Sequence, residues 1–182
     1  MIKINLGCGE RPIKGFLNVD ARKIKGIEFP NTRIENMPCF KNDYADHIYA
    51  CHVLEHLPRT MTFRVLCEWN RVLKPGGTLR LAVPDWDATV RYYRKTGDME
   101  NVLNWVYGGR EHPENWHYRI FNFSSLKTLL WESGFKRIKR YDWRTTEHAR
   151  HDDFSKAYLP HMDVKRGILM SLNVECVKHI HV

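Results

Sequence analysis

Apolar residues enter the chain in short blocks: Ile4-Asn5-Leu6, then Phe16-Leu17-Asn18-Val19, then Asp46-His47-Ile48-Tyr49-Ala50-Cys51. Blocks this brief, rich in β-branched and aromatic residues and bounded by glycine, proline or charge, predict buried strands. The period then changes. Phe63, Leu66, Cys67 and Leu73 recur at helical spacing, with Thr60 or Thr62 as the cap and Lys74-Pro75-Gly76-Gly77 as the stop. Thr78 to Val83 predicts another strand, ending in Pro84-Asp85. Asp85 or Asp87 starts a helix containing Trp86, Val90 and Tyr93 that closes at Gly97. A second helix, Met99 to Tyr107, has Met99, Val102, Leu103 and Val106 on one face and stops at Gly108-Gly109, so the two predict a helical hairpin. Strands alternating with helices in this order predict a doubly wound, parallel α/β sheet.

The stretch Ile4-Asn5-Leu6-Gly7-Cys8-Gly9 places a glycine turn directly after the first strand. Glycines let the backbone turn sharply there and approach a ligand closely, and Asp20, closing the second strand, can accept both hydroxyls of a ribose. This is a nucleotide cradle. Only eleven steps separate Gly9 from Asp20, with Pro12 and Gly15 between them, so the first crossover is a turn and not a helix. No third glycine follows at the G-x-G-x-x-G spacing and little helix N-terminus is left to hold a pyrophosphate, which favours a cofactor without phosphate. Arg33 to Met37 precedes Pro38 in a loop placed to cover a bound base. His52-Val53-Leu54-Glu55-His56 leaves the third strand at its carboxyl end, where ligands lie in open α/β sheets.

Composition narrows the class. With 182 residues, 43% hydrophobic and 12% aromatic, the chain is expected to form one globular domain over residues 1 to 182. No apolar run approaches the roughly 18 residues of a membrane span, and no charged-then-apolar leader opens it, so a cytoplasmic protein is expected. The five cysteines form no C-x-x-C pair and read as reduced, buried thiols. A net charge of +8 permits an anionic partner, but the basic residues are dispersed. The alternation in Lys136-Arg137-Ile138-Lys139-Arg140 predicts the solvated face of an edge strand.

Four ordered segments resemble the motifs of class I S-adenosylmethionine-dependent methyltransferases: Asn5-Leu6-Gly7-Cys8-Gly9, Asn18-Val19-Asp20, Val53-Leu54-Glu55-His56-Leu57 and Glu68 to Gly77. Leu126 to Phe135 resembles that family's last helix and Ser171 to Val177 its late antiparallel strand. The opening Leu-Gly-Cys-Gly is similar to that of small type 11-like methyltransferases with polysaccharide-associated members. The resemblance implies a Rossmann-like sheet of seven strands, mostly parallel, with S-adenosylmethionine across its carboxyl edge and S-adenosylhomocysteine as product. It also implies that the cradle from Asn5 through Leu6, Gly7, Cys8 and Gly9 meets the amino-acid part of the cofactor and Asp20 its ribose. Asn36 and Met37 would then meet its adenine, and Cys51 and His52 its methionine portion. The chain departs from the family where Asn5 replaces a frequent acidic residue.

Substrate identity should be written between Trp86 and Phe123, with the 142 to 165 connection able to fold back over the site. Arg110 to Arg119 concentrates ionisable and aromatic groups, and Trp86, Trp116, Tyr118 and Arg119 are the expected acceptor contacts, their ring faces and guanidinium suiting a sugar or a planar base. A hydroxyl acceptor must lose its proton, and histidine suits that task near neutrality. His117 is the first candidate base, Asp85 the second and His112 the third. His52 to His56 also matches H-x-x-E-H, a zinc-protease signature, but it follows a strand, Pro58 interrupts it and no third ligand is evident; His151, Asp152 and Asp153 lack a ligand spacing. No metal is expected. The reading is an O-methyltransferase of a sugar, glycan or other small hydroxyl compound. An RNA, DNA or protein methyltransferase and a non-catalytic cofactor-binding partner are the alternatives; a short wall around the acceptor site leaves room for a homodimer, and no membrane partner is expected.

Overall fold

A computed structural model describes residues 1–109 and 115–179. Its strands and helices run β1 (Lys3–Leu6), β2 (Leu17–Val19), β3 (Ala45–Cys51), α1 (Thr62–Val72), β4 (Leu73–Pro84), α2 (Trp86–Thr96), α3 (Met99–Tyr107), α4 (Phe123–Glu132), β5 (Phe135–Arg140), β6 (Tyr158–Leu159), β7 (Ile168–Leu169) and β8 (Ser171–Lys178). Six of these strands form one sheet in the order β2-β1-β3-β4-β8-β5, and β6 and β7 form a separate ribbon. The first four strands of the sheet are parallel, and β8 runs antiparallel to both β4 and β5. The late antiparallel strand and the basic edge strand therefore stand where the sequence puts them.

The expected seventh strand is missing among the described residues. At the β2 edge only a single bridge, Val19 to Phe29, extends the sheet. The reason lies in the local sequence: Pro30 ends the pairing and the chain turns away through Asn31, whose φ is 54°.

Helices α1 and α4 pack against each other on one face of the sheet, over a core that includes Ile4, Leu6, Ile48, Leu66, Trp69, Leu79 and Leu130. Helix α1 begins without a side-chain cap: its N-cap is Met61, and the Thr62 hydroxyl donates instead to the Arg59 carbonyl at 3.0 Å. The opposite face differs from a doubly wound sheet. Tyr49, alternating with Ile48 and Ala50, points there with Ile13 and Phe16. His148 from the long 142–157 connection covers it, its ring 4.1 Å from that of Tyr49, and the Tyr49 hydroxyl donates to Asp153 Oδ2 at 2.8 Å. A folded loop takes the place of crossover helices.

The shortened first crossover is held by one buried amide. Asn18 Oδ1 accepts from the Ile13 N–H at 2.8 Å and from Asn5 Nδ2 at 3.0 Å, while its Nδ2 donates to the carbonyls of Ile13 and Phe16. Asn5 thus pins the turn and does not stand in as a charged anchor.

Helices α2 and α3 form the expected hairpin. Asp85 caps α2, its side chain accepting from the Asp87 N–H, and Gly97 closes it at φ 68°. Asp98 caps α3, which ends at Gly108. The packed residues of α3 are Val102 and Trp105, set against Ala88, Tyr92 and Met170. Met99 and Leu103 of the predicted apolar stripe are exposed, because only part of that face meets α2. Among the described residues no helix is long and apolar enough to cross a membrane.

Candidate active site

The carboxyl ends of β1, β2 and β3 open into a cavity of about 1110 Å³. Gly7 and Gly9 line it in the left-handed backbone region, at φ 64° and 57°. A Cβ on Gly7 would stand 2.5 Å from Val53 Cγ2, so only glycine lets the turn lie against the exit of β3. Asp20 fixes the turn from the other side: Oδ2 accepts from the Gly9 N–H at 2.8 Å, and Oδ1 accepts from Arg22 N at 2.9 Å and Nε at 3.1 Å. Oδ2 keeps a second lone pair for a ribose hydroxyl, whereas Arg22 takes both of those on Oδ1.

The far wall of this half differs from expectation. Ile34 and Glu35 line the cavity, whereas Met37 is wholly buried in the core and Asn36 lies outside the lining. Helix α1 imposes this. Glu68 Oε1 accepts from the Met37 N–H at 2.7 Å, Arg71 donates to the carbonyls of Met37 and Phe40, and Trp69 Nε1 donates to that of Ile34. The loop therefore presents Ile34 and Glu35 to the cavity, two residues ahead of the expected pair. Asn5, Cys8, Cys51 and His52 line the cavity as expected; Leu6 points into the core.

The other half carries the acceptor candidates. His117 and Tyr118 line it, joined by Trp105, Asn104, His56, His151, Asp153 and Phe154, none of which had been singled out as an acceptor contact. The long connection does fold over the mouth. Three expected contacts lie elsewhere: Trp86 opens α2 away from the cavity, Trp116 contributes its carbonyl to His56 Nδ1, and Arg119 donates to the Thr62 hydroxyl and lies over the Phe121 ring. Asp85 is 3% exposed, caps α2, meets Arg140 at 3.3 Å and does not line the cavity, so it is a structural cap and not a base. His112 lies outside the described residues. Asp152 pairs with Arg11, and Asp153 caps a 3₁₀ turn, which removes both from a ligand set with His151.

His117 reaches the site through backbone clamps. Its N–H donates to the Tyr107 carbonyl at 3.0 Å, and the next N–H, of Tyr118, donates to the Glu55 carbonyl at 2.8 Å. Gly108 permits this approach, since a Cβ there would meet the Asn115 carbonyl oxygen at 2.1 Å. The clamps bring His117 beside His56, ring centroids 4.8 Å apart, and both beside the fully buried Glu55. Burial pushes His117 below the ordinary histidine pKa against the pull of Glu55, so its imidazole is neutral at pH 7. Burial alone would raise the Glu55 carboxyl, but His52, His56 and His117 outweigh it and hold the carboxyl below its ordinary value.

Residues 13–81 match the family model described as a methyltransferase domain. The match spans β2, Asp20, β3 and its exit, α1 and most of β4, and begins after β1 and the glycine cradle. Over that stretch the chain matches a methyltransferase domain, and its fold is the Rossmann-like fold of methyltransferases. A search of the curated proteins finds no match. Among solved structures, the fold resembles a Thermotoga maritima S-adenosylmethionine-dependent methyltransferase at TM-score 0.63 and 17% identity, covering 97% of this chain and 82% of that one. It also resembles a Methanosarcina mazei S-adenosylmethionine-dependent methyltransferase at TM-score 0.57 and 19% identity, with 98% and 92% covered. A third is an Archaeoglobus fulgidus methyltransferase of the same dependence, at TM-score 0.58 and 13% identity, with 97% and 85% covered. S-adenosylmethionine is the cofactor that these likenesses imply, and the glycine cradle and Asp20 fit it.

Proposed function

We propose that the chain is an O-directed methyltransferase and that its acceptor is a sugar, a glycan or a related hydroxyl compound. The observation that carries this reading is the pair His56 and His117 on the cavity wall, backed by the fully buried Glu55. A methyl on a sulfonium leaves by in-line displacement and needs mainly positioning. A hydroxyl acceptor adds the removal of a proton, and an imidazole on the cavity wall with a carboxylate behind it lowers the cost of that removal. In the step, the acceptor oxygen forms the O–CH₃ bond as the S–CH₃ bond breaks and its electron pair stays on sulfur. The hydroxyl proton is removed at the Glu55-His56-His117 face. Preference for a sugar rests on Trp105, Tyr118 and Phe154, whose ring faces suit C–H faces, beside the amides of Asn104 and Asn115.

The test is release of S-adenosylhomocysteine with panels of nucleotide sugars, oligosaccharides, phenols, amines and RNA. Hydroxyl acceptors should turn over, and His117→Ala should lower kcat by about 100-fold or more, the range of a lost acid–base group, with cofactor affinity unchanged. Transfer confined to nitrogen or carbon acceptors would refute the reading.

A further inference from the structure

Glu55 is the one member of the H-x-x-E-H segment with no solvent exposure; His52 Nδ1 stands 3.2 Å from Oε1, and among the described residues neither carboxylate oxygen receives a well-formed hydrogen bond. A bare buried carboxylate is costly unless something positive meets it. Two imidazoles lie beside it. His56 Nδ1 lies 3.1 Å from the Trp116 carbonyl and His117 Nδ1 3.0 Å from the Trp105 carbonyl. A carbonyl only accepts, so both Nδ1 atoms carry protons, which leaves each Nε2 as the nitrogen able to ligate. Metal-ligating histidines are oriented in this way, by a backbone carbonyl on the far nitrogen. One ligand atom from each of Glu55, His56 and His117 lies within 4.8 Å of the others. Ligands at about 2.1 Å from a tetrahedral ion stand about 3.4 Å apart, so closure takes side-chain movements on the order of 1 Å.

We propose that Glu55, His56 and His117 hold a divalent cation of borderline softness, such as Zn²⁺, at the acceptor end of the cavity. Two imidazoles and one carboxylate suit such an ion and leave coordination positions open to a substrate oxygen. The segment resembling a protease signature is thereby read with a different set of ligands. His52 is no ligand: its Nε2 engages the Ser171 hydroxyl at 3.1 Å and it flanks Glu55 as an outer partner. The third ligand is His117, delivered by the clamps of the 115–118 segment to Tyr107 and Glu55.

The role of the ion rests on the O-methylation reading; the site itself rests on the donors. An acceptor hydroxyl bound to the cation would become more acidic, so the proton removed at this face would leave with water of the open cavity instead of staying on an imidazole. The resulting alkoxide takes the methyl, and the S–CH₃ electron pair returns to sulfur.

The experiment is calorimetric titration of the chelator-treated full chain with ZnCl₂, repeated with CoCl₂ while visible absorption is recorded. One ion per chain is expected. Glu55→Gln and His117→Ala should each weaken binding by more than about 100-fold, beyond the 10–100-fold cost of losing an outer partner, while retaining S-adenosylhomocysteine affinity as evidence of folding. His161→Ala, on an exposed loop, should bind as the parent does. No stoichiometric binding, or binding that Glu55→Gln and His117→Ala leave intact, would overturn the site. Hydroxyl methylation that continues in chelator with no ion bound would remove the cation and leave the O-methyl reading standing. Ion binding accompanied by transfer to nitrogen or carbon alone would do the reverse.

Discussion

Replacing Gly7 by alanine tests the cradle with a magnitude that can be worked out beforehand. Two separate costs meet at this position. The backbone sits at φ 64°, which costs an L-residue with a side chain about 1–2 kcal/mol. The new Cβ would also stand 2.5 Å from Val53 Cγ2 and 3.1 Å from its Cγ1, an overpacking of the kind that costs about 1–3 kcal/mol. Together they come to about 2–5 kcal/mol. If the turn stays in place, the loss falls on folding, and for a chain of 182 residues a Tm decrease of at least about 4 °C follows. If the turn moves aside, the loss falls on the cofactor, and S-adenosylhomocysteine affinity drops by about 30-fold or more. Thermal denaturation and calorimetry on one preparation read both. Val53→Ala in the Gly7→Ala background separates the two costs: it removes the contact but not the φ cost, so the double mutant should be less damaged than the sum of the singles. Strict additivity, or a Gly7→Ala protein with parental Tm and affinity, would refute the close approach of the turn to Val53.

Asp20→Ala removes the acceptor of the Gly9 N–H along with the oxygen proposed to meet the ribose, and cofactor affinity should fall by about 10- to 1000-fold in calorimetry, on the usual scale of charge-assisted hydrogen bonds; an unchanged affinity would retire the ribose assignment. Asn18→Ala leaves the buried Ile13 and Phe16 amide groups without partners and should destabilise the chain by about 3 kcal/mol or more in urea unfolding, whereas a loss below about 1 kcal/mol would mean that the crossover turn holds itself. Burial lowers His47 and His148 to about 4, and His47 Nε2 and both ring nitrogens of His148 lack partners. Both imidazoles are therefore neutral when folded, while the unfolded chain takes up protons below about 6.5. Stability should be constant above that pH and fall as pH drops from 6.5 toward 4, by up to about 3 kcal/mol for each group. His148→Phe should flatten the decline of Tm over that window, and an unchanged slope would remove His148 from the account.

Much of this protein is determined locally, and the sequence by itself determines that part. The alternation of β1 to β4 with α1, the cradle at Gly7 and Gly9, the carboxylate at Asp20, the caps of α2 and α3 and the closure at Gly97 each depend on residues within a few positions of one another. Hydrophobic period, capping side chains and glycine conformation act over that range, so the linear pattern carries them. Tertiary structure decided what depends on separation in sequence. Whether Phe29 prolongs an edge strand, whether Met37 faces a ligand or the core, and whether Asp85 is a base or a cap are settled by what packs alongside each. The acceptor end shows this most clearly. Glu55 and His56 leave a strand end and His117 follows His56 by 61 positions, and only the backbone clamps at Tyr107, Glu55 and Gly108 bring them together. Composition marked that stretch as chemically rich, but no periodicity links residues so far apart; the contact exists because the folded chain buries Glu55 where two imidazoles can reach it.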